Sequence, residues 1–132
     1  MKVFFSNMAV GEYNRIESWL KEMKIEKYTI NKDLTVDVDD DVSLDNKEFK
    51  KLPIQFGKVK GLFDLDNCKN LETLKGCPKE VSGWFSCEST RIISLEGGPK
   101  KVGGNFWCRY CKGKFNEQDV RQICKVGGEI VT

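Results

Sequence analysis

The chain repeats one phrase. "VSGWFSC", from Val81 to Cys87, returns as "VGGNFWC", from Val102 to Cys108, a step of 21 residues. Stepping back 22 from Val81 gives "VKGLFDL" at Val59, and 21 more gives "VDDDVSL" at Val38. One alternating column runs through the units: Val38, Asp40, Val42, Leu44; Val59, Gly61, Phe63, Leu65; Val81, Gly83, Phe85, Cys87; Val102, Gly104, Phe106, Cys108. Period-two alternation is the pattern of a strand with one buried face. The connecting pieces repeat as well: Leu71, Leu74, Gly76 and Pro78 recur as Ile92, Leu95, Gly97 and Pro99, and Phe49 and Leu52 take the leucine places in the first unit. These connections run to about 14 residues, far longer than a hairpin turn and long enough to bring each strand back parallel to the last.

Such a repeat predicts an α/β chain wound as a short right-handed solenoid, with a parallel sheet of about four strands. No coil can bury its inner face alone, so stacking must supply the core. Gly61, Gly83 and Gly104 are expected to leave room where the returning segment comes close. Asp40 at that place in the first coil predicts a distorted end unit. Val10, Tyr13, Ile16, Trp19, Leu20 and Met23 recur at helical spacing and predict an amphipathic helix capping the first coil, followed by "YTI" and "LTVDV" as strand. Trp19 reads as a packing residue of that helix. At the other end "FNEQDVRQICK" predicts a short helix with Asn116 as N-cap, Asp119 in its first turn and Phe115 stapled onto Val120, ending at Gly127-Gly128. One domain is expected, with an N-terminal helical cap over 1–33, repeat coils over 34–115 and a C-terminal cap over 116–132.

The stretch "FDLDNCKNLETLKGCPKEV" (Phe63 to Val81) resembles a leucine-rich repeat, with Leu65, Cys68 and Leu71 at that family's leucine, Asn/Cys and leucine places. The L-x-x-x-P-x-x-V spacing, in Leu74-Pro78-Val81 and Leu95-Pro99-Val102, is similar to its short proline-containing bacterial subclass and to the small leucine-rich-repeat-like proteins of tailed bacteriophages and their hosts. The strand itself reads V-x-G-x-F-x-C where the family has L-x-x-L-x-L. The resemblance covers residues 34–115. It implies an exposed strand face that binds another protein and, for a phage-encoded chain, a role in sequestering or inhibiting a host or defence protein in the host cytoplasm.

If the Val-Gly-Phe-Cys column points inward, its neighbours point out. Two outward columns follow, Asp41-Leu62-Trp84-Asn105 and Ser43-Asp64-Ser86-Trp107. Leu62, Trp84 and Trp107 then form a diagonal apolar stripe edged by Arg109 and Tyr110. With Lys60, Asp64, Ser86, Asn105 and Asp41 around them, these are the expected partner-binding residues, because an exposed apolar cluster rimmed by polar groups marks a contact site and Trp with Arg is hot-spot chemistry. The occupant is expected to be a protein partner, with self-association as another possibility.

Rival chemistry is thin. The chain has no histidine, which removes His-dependent nucleophiles, general bases and metal sites; no catalytic residue is expected. Cys108 and Cys111 form a CxxC that Cys68, Cys87 and Cys124 could join around zinc, but the repeat places Cys87 and Cys108 in the inner columns as small core residues. We therefore expect no metal and no cofactor. The run "DVDDD" is read as a solvated edge that discourages aggregation, with a basic partner or calcium as alternatives. Lysines at the strand starts (Lys58, Lys60, Lys79, Lys100 and Lys101) make single-stranded nucleic acid the alternative partner, against which stand 20 acidic residues and a net charge of only +2. No apolar run approaches a membrane span and the opening "MKVFFSNMAVG" is too short for a secretory core, so a cytoplasmic protein is expected.

Overall fold

A computed structural model of the chain describes residues 7–132; the first six, part of the opening stretch and of the expected N-terminal cap, lie outside the described residues. Each coil holds two short strands joined by a bend. The pairs are β2 (Val36–Val38) with β3 (Val42–Ser43), β4 (Phe56–Val59) with β5 (Phe63–Asp64), β6 (Glu80–Val81) with β7 (Phe85–Ser86), β8 (Lys101–Val102) with β9 (Phe106–Trp107), and β10 (Lys125–Val126) with β11 (Ile130–Val131). First members stack in one sheet ordered β1-β2-β4-β6-β8-β10, second members in another ordered β11-β9-β7-β5-β3. All neighbours are parallel except β1 (Tyr28–Ile30), which lies antiparallel against β2. The chain is thus a small α/β protein, a β-solenoid of about four turns with two helices among the described residues.

This corrects the expected single sheet. The seven-residue phrase is no continuous strand; it breaks at its glycine. Gly83 donates its N–H to Gly61, Gly104 to Gly83 and Gly128 to Gly104, at 2.9 to 3.0 Å, so glycines stack directly along the corner between the sheets. A Cβ at Gly83 would sit 3.0 Å from the carbonyl of Gly61. The glycines make room for the neighbouring coil's backbone, not for the returning segment.

The inner faces meet around an aromatic spine. Phe56, Phe63, Phe85 and Phe106 are fully buried, with consecutive ring centroids 5.1, 6.2 and 4.9 Å apart. Full burial of one such ring is worth about 1.5–3 kcal/mol. The returning segments are irregular and close the core with Leu71, Leu74 and Ile92, all fully buried, while their backbones bond from coil to coil, as in Arg91 N–H to Leu71 O at 2.9 Å.

A second ladder stands where each coil leaves the second sheet. Asn46, Asn67, Ser89 and Tyr110 all have φ near +60° (61°, 61°, 58° and 62°). The N–H groups of Asn46, Asn67 and Ser89 donate to the carbonyls of Asp66, Glu88 and Arg109 in the next coil. Asparagine tolerates this left-handed conformation; tyrosine does so only at a cost.

Helix α1 (Asn7–Glu22) places Ile16 and Leu20 in the core, with Trp19 edge-on to Phe49 and Phe56 at 6.4 and 6.1 Å. Helix α2 (Glu117–Ile123) starts at Asn116 through a capping box with Asp119, as its sequence predicts, and buries Val120. It ends at Cys124, in extended conformation, before the glycine pair. Residues 125–131 are not cap but a further coil: "VGGEI" (Val126 to Ile130) repeats "VGGNF" at a step of 24, with Val126 paired to Val102 and Ile130 to Phe106.

Candidate interaction face

Because Phe63, Phe85 and Phe106 point inward, the residues beside them point out from the second sheet. The register gives one column as Ser43, Asp64, Ser86 and Trp107, as the repeat predicts, and extends it to Val131. The other is set by backbone bonds, Val42 N–H to Leu62 O, Phe63 to Trp84 and Phe85 to Asn105. Trp84 and Trp107 come from adjacent coils and touch across the diagonal, ring centroids 5.2 Å apart at 48°. Both are half-buried, as is Leu62. The indoles support each other and keep part of each ring accessible.

Ser86 departs from expectation. It is fully buried, and its hydroxyl donates to Asp66 Oδ1. Trp107 is its cross-strand neighbour and Trp84 lies two residues before it on the same strand face, so two bulky rings flank a small side chain. Ser86 is the floor of the patch, not a partner-binding group. Asp41 and Asn105 are also engaged: Asp41 Oδ1 accepts from Leu62 N–H at 2.9 Å and Asn105 Oδ1 from Glu129 N–H at 2.8 Å. These Asx side chains hold adjacent coils in register. Lys60 is exposed and lies on the first sheet's side of the glycine corner, where its N–H donates to Val38 O.

Beyond the second sheet the ladder Asp66, Glu88, Arg109 ties three coils together. Asp66 Oδ1 accepts from Glu88 N–H at 2.9 Å; the Glu88 carboxylate takes Arg109 Nε at 2.6 Å and Nη2 at 3.1 Å. This fork holds the Arg109 guanidinium 5.3 Å over the Tyr110 ring. Tyr110 is 72% exposed, although its backbone is left-handed. Asp64 is half-buried, and burial lifts its carboxyl above the ordinary range, with the charges of Asp66 and Asp45 pushing the same way.

The cysteines belong to the interior. All six are buried and free. Cys108 lies in the inner strand column and Cys111 in the loop column, where its thiol donates to Cys87 O at 3.2 Å; Cys68 does the same to Leu44 O at 3.0 Å. Among the described residues no three cysteine or carboxylate groups converge as metal donors, and no helix is long and apolar enough to cross a membrane. Sequence reasoning missed Glu88, whose role depends on Arg109 one coil later, and Glu129, which extends the Asp41-Leu62-Trp84-Asn105 column into the last coil. The "VGGEI" phrase was the signal for Glu129. No protein family, curated protein or solved structure matches the chain.

Proposed function

We propose that the protein is a non-enzymatic protein-binding module and that the second sheet's outer face is its contact surface. One observation carries this reading: an accessible indole pair, Trp84 against Trp107 at 5.2 Å, mounted on consecutive rungs of a regular sheet. Rigid aromatic groups beside a guanidinium are the usual anchors of protein interfaces. Leu62, Arg109 and Tyr110 extend the patch, and Asp64 borders it. Buried thiols and the lack of histidine support a binding rather than a catalytic role.

Protein is favoured over single-stranded nucleic acid because the indoles and the lysines lie on different sheets. Lys58, Lys101 and Lys125 sit on the first sheet, so the basic ridge at the strand starts does not run beside the stacking rings. The test is affinity capture from bacterial lysate with the wild-type chain and with a Trp84→Ala/Trp107→Ala variant whose circular dichroism matches wild type. A protein retained by the first and lost by the second is expected; equal retention by both would remove the face from the binding role.

A further inference from the structure

The registers expose a segregation of charge that the net charge of +2 conceals. On or just past the second sheet's outer face stand Asp41, Asp45, Asp64, Asp66, Glu88 and Glu129, with Arg109 among them already held by Glu88; the lysines of this side, Lys47, Lys69 and Lys112, lie further out in the returning turns. The first sheet is mixed but richer in lysine: Asp37, Lys58, Glu80, Lys101 and Lys125 follow one another along it, with Lys79 and Lys100 in the turns just ahead. The indole pair therefore sits at the centre of a negative face on a weakly positive protein.

Resting on the protein-binding reading above, we propose that the occupant of this face is a basic segment of another protein, carrying lysine or arginine on both sides of one or two apolar residues. Apolar or guanidinium groups pack on the half-open indoles and Tyr110, while flanking cations meet the carboxylates. An acidic partner would be repelled. A second copy of this chain would have to offer its lysine-bearing sheet, but the outward positions between Lys58 and Lys125 carry charged groups, serine and glycine, with nothing apolar to fill the space against the rings. Asp64 supports the same choice: burial and the charges of Asp66 and Asp45 make its ionised form costly, and a nearby cation relieves that cost.

The test is selection from a random-peptide library against the immobilised full chain at physiological salt, with the Trp84→Ala/Trp107→Ala variant as counter-selection. Enrichment of net-positive peptides with an internal apolar residue is expected. A synthesised winner should bind Asp45→Asn/Asp64→Asn about tenfold more weakly, roughly two exposed ion pairs, and should weaken with added salt. Asparagine keeps the Asp64 acceptor for Asp66 N–H, so this variant removes charge without removing the turn. Neutral or acidic winners, no winners, or an unchanged affinity in the asparagine variant would overturn the basic occupant. Capture that depends on the indoles would still stand in those cases, so the narrower and the wider readings fail separately.

Discussion

Trp84 and Trp107 lie in different columns of the repeat, yet their rings meet at 5.2 Å and 48°. Each stands where its own coil has no structural need of an indole, since the equivalent places are Leu62 and Asn105 for one, Asp64 and Ser86 for the other.

Because the rings are half-buried against each other, truncation has a stability cost. Trp84→Ala and Trp107→Ala should each lose about 1–2 kcal/mol, a fraction of full aromatic burial. The double variant should lose less than the sum by about 0.5–1.5 kcal/mol, the coupling of a tilted aromatic pair. Denaturant unfolding followed by circular dichroism measures all three; strict additivity would mean the pair does not interact.

Tyr110 occupies a rung that earlier coils give to Asn46, Asn67 and Ser89, at φ 62°. Asparagine there should stabilise the fold by about 1 kcal/mol through relief of left-handed strain, less whatever the exposed contact with Arg109 contributes. Tyr110→Asn is expected to raise the melting temperature while weakening partner capture. A lowered melting temperature would show that the tyrosine is structural.

Gly83 and Gly11 make a matched pair. A methyl group at Gly83 meets the Gly61 backbone at 3.0 Å, whereas at Gly11, in α1, nothing lies within 4 Å. Gly83→Ala should cost about 1–3 kcal/mol by forcing coils apart; Gly11→Ala should gain about 0.5–1 kcal/mol from helix propensity. Thermal melts of both decide whether the corner is as tight as its hydrogen bonds imply.

Alkali should unfold the protein early. Burial lifts the thiols of Cys68 and Cys77, Cys108 to about 12 and Cys124 to about 11, and the bond with Cys111 together with burial lifts Cys87 well above its ordinary value. The unfolded chain releases these protons near pH 8.5, so their stabilisation is complete below that value and is lost as pH rises toward the folded values. Cys111 shares with Cys87 one contact that moves the two thiols in opposite directions, so that pair adds little net slope. Cys68, Cys77, Cys108 and Cys124 set the alkaline side. Melts under reducing conditions should drop steadily from pH 8.5 upward, and Cys77→Ala should flatten the slope.

The sequence by itself determined the winding. Apolar residues spaced 21 or 22 apart can all be buried only if successive coils stack, and Val59, Val81 and Val102 do pair in that register. The same spacing set the diagonal of Leu62, Trp84 and Trp107. Only the tertiary structure decided that each phrase bends at its glycine into two sheets, because period-two alternation is the same for one strand or for two short ones meeting at a corner. It also decided that Ser86 is fully buried beside the indoles and that the strand lysines Lys58, Lys101 and Lys125 stand on the sheet that does not carry them. Burial and net facial charge depend on neighbours one coil away, and a single phrase carries no record of them.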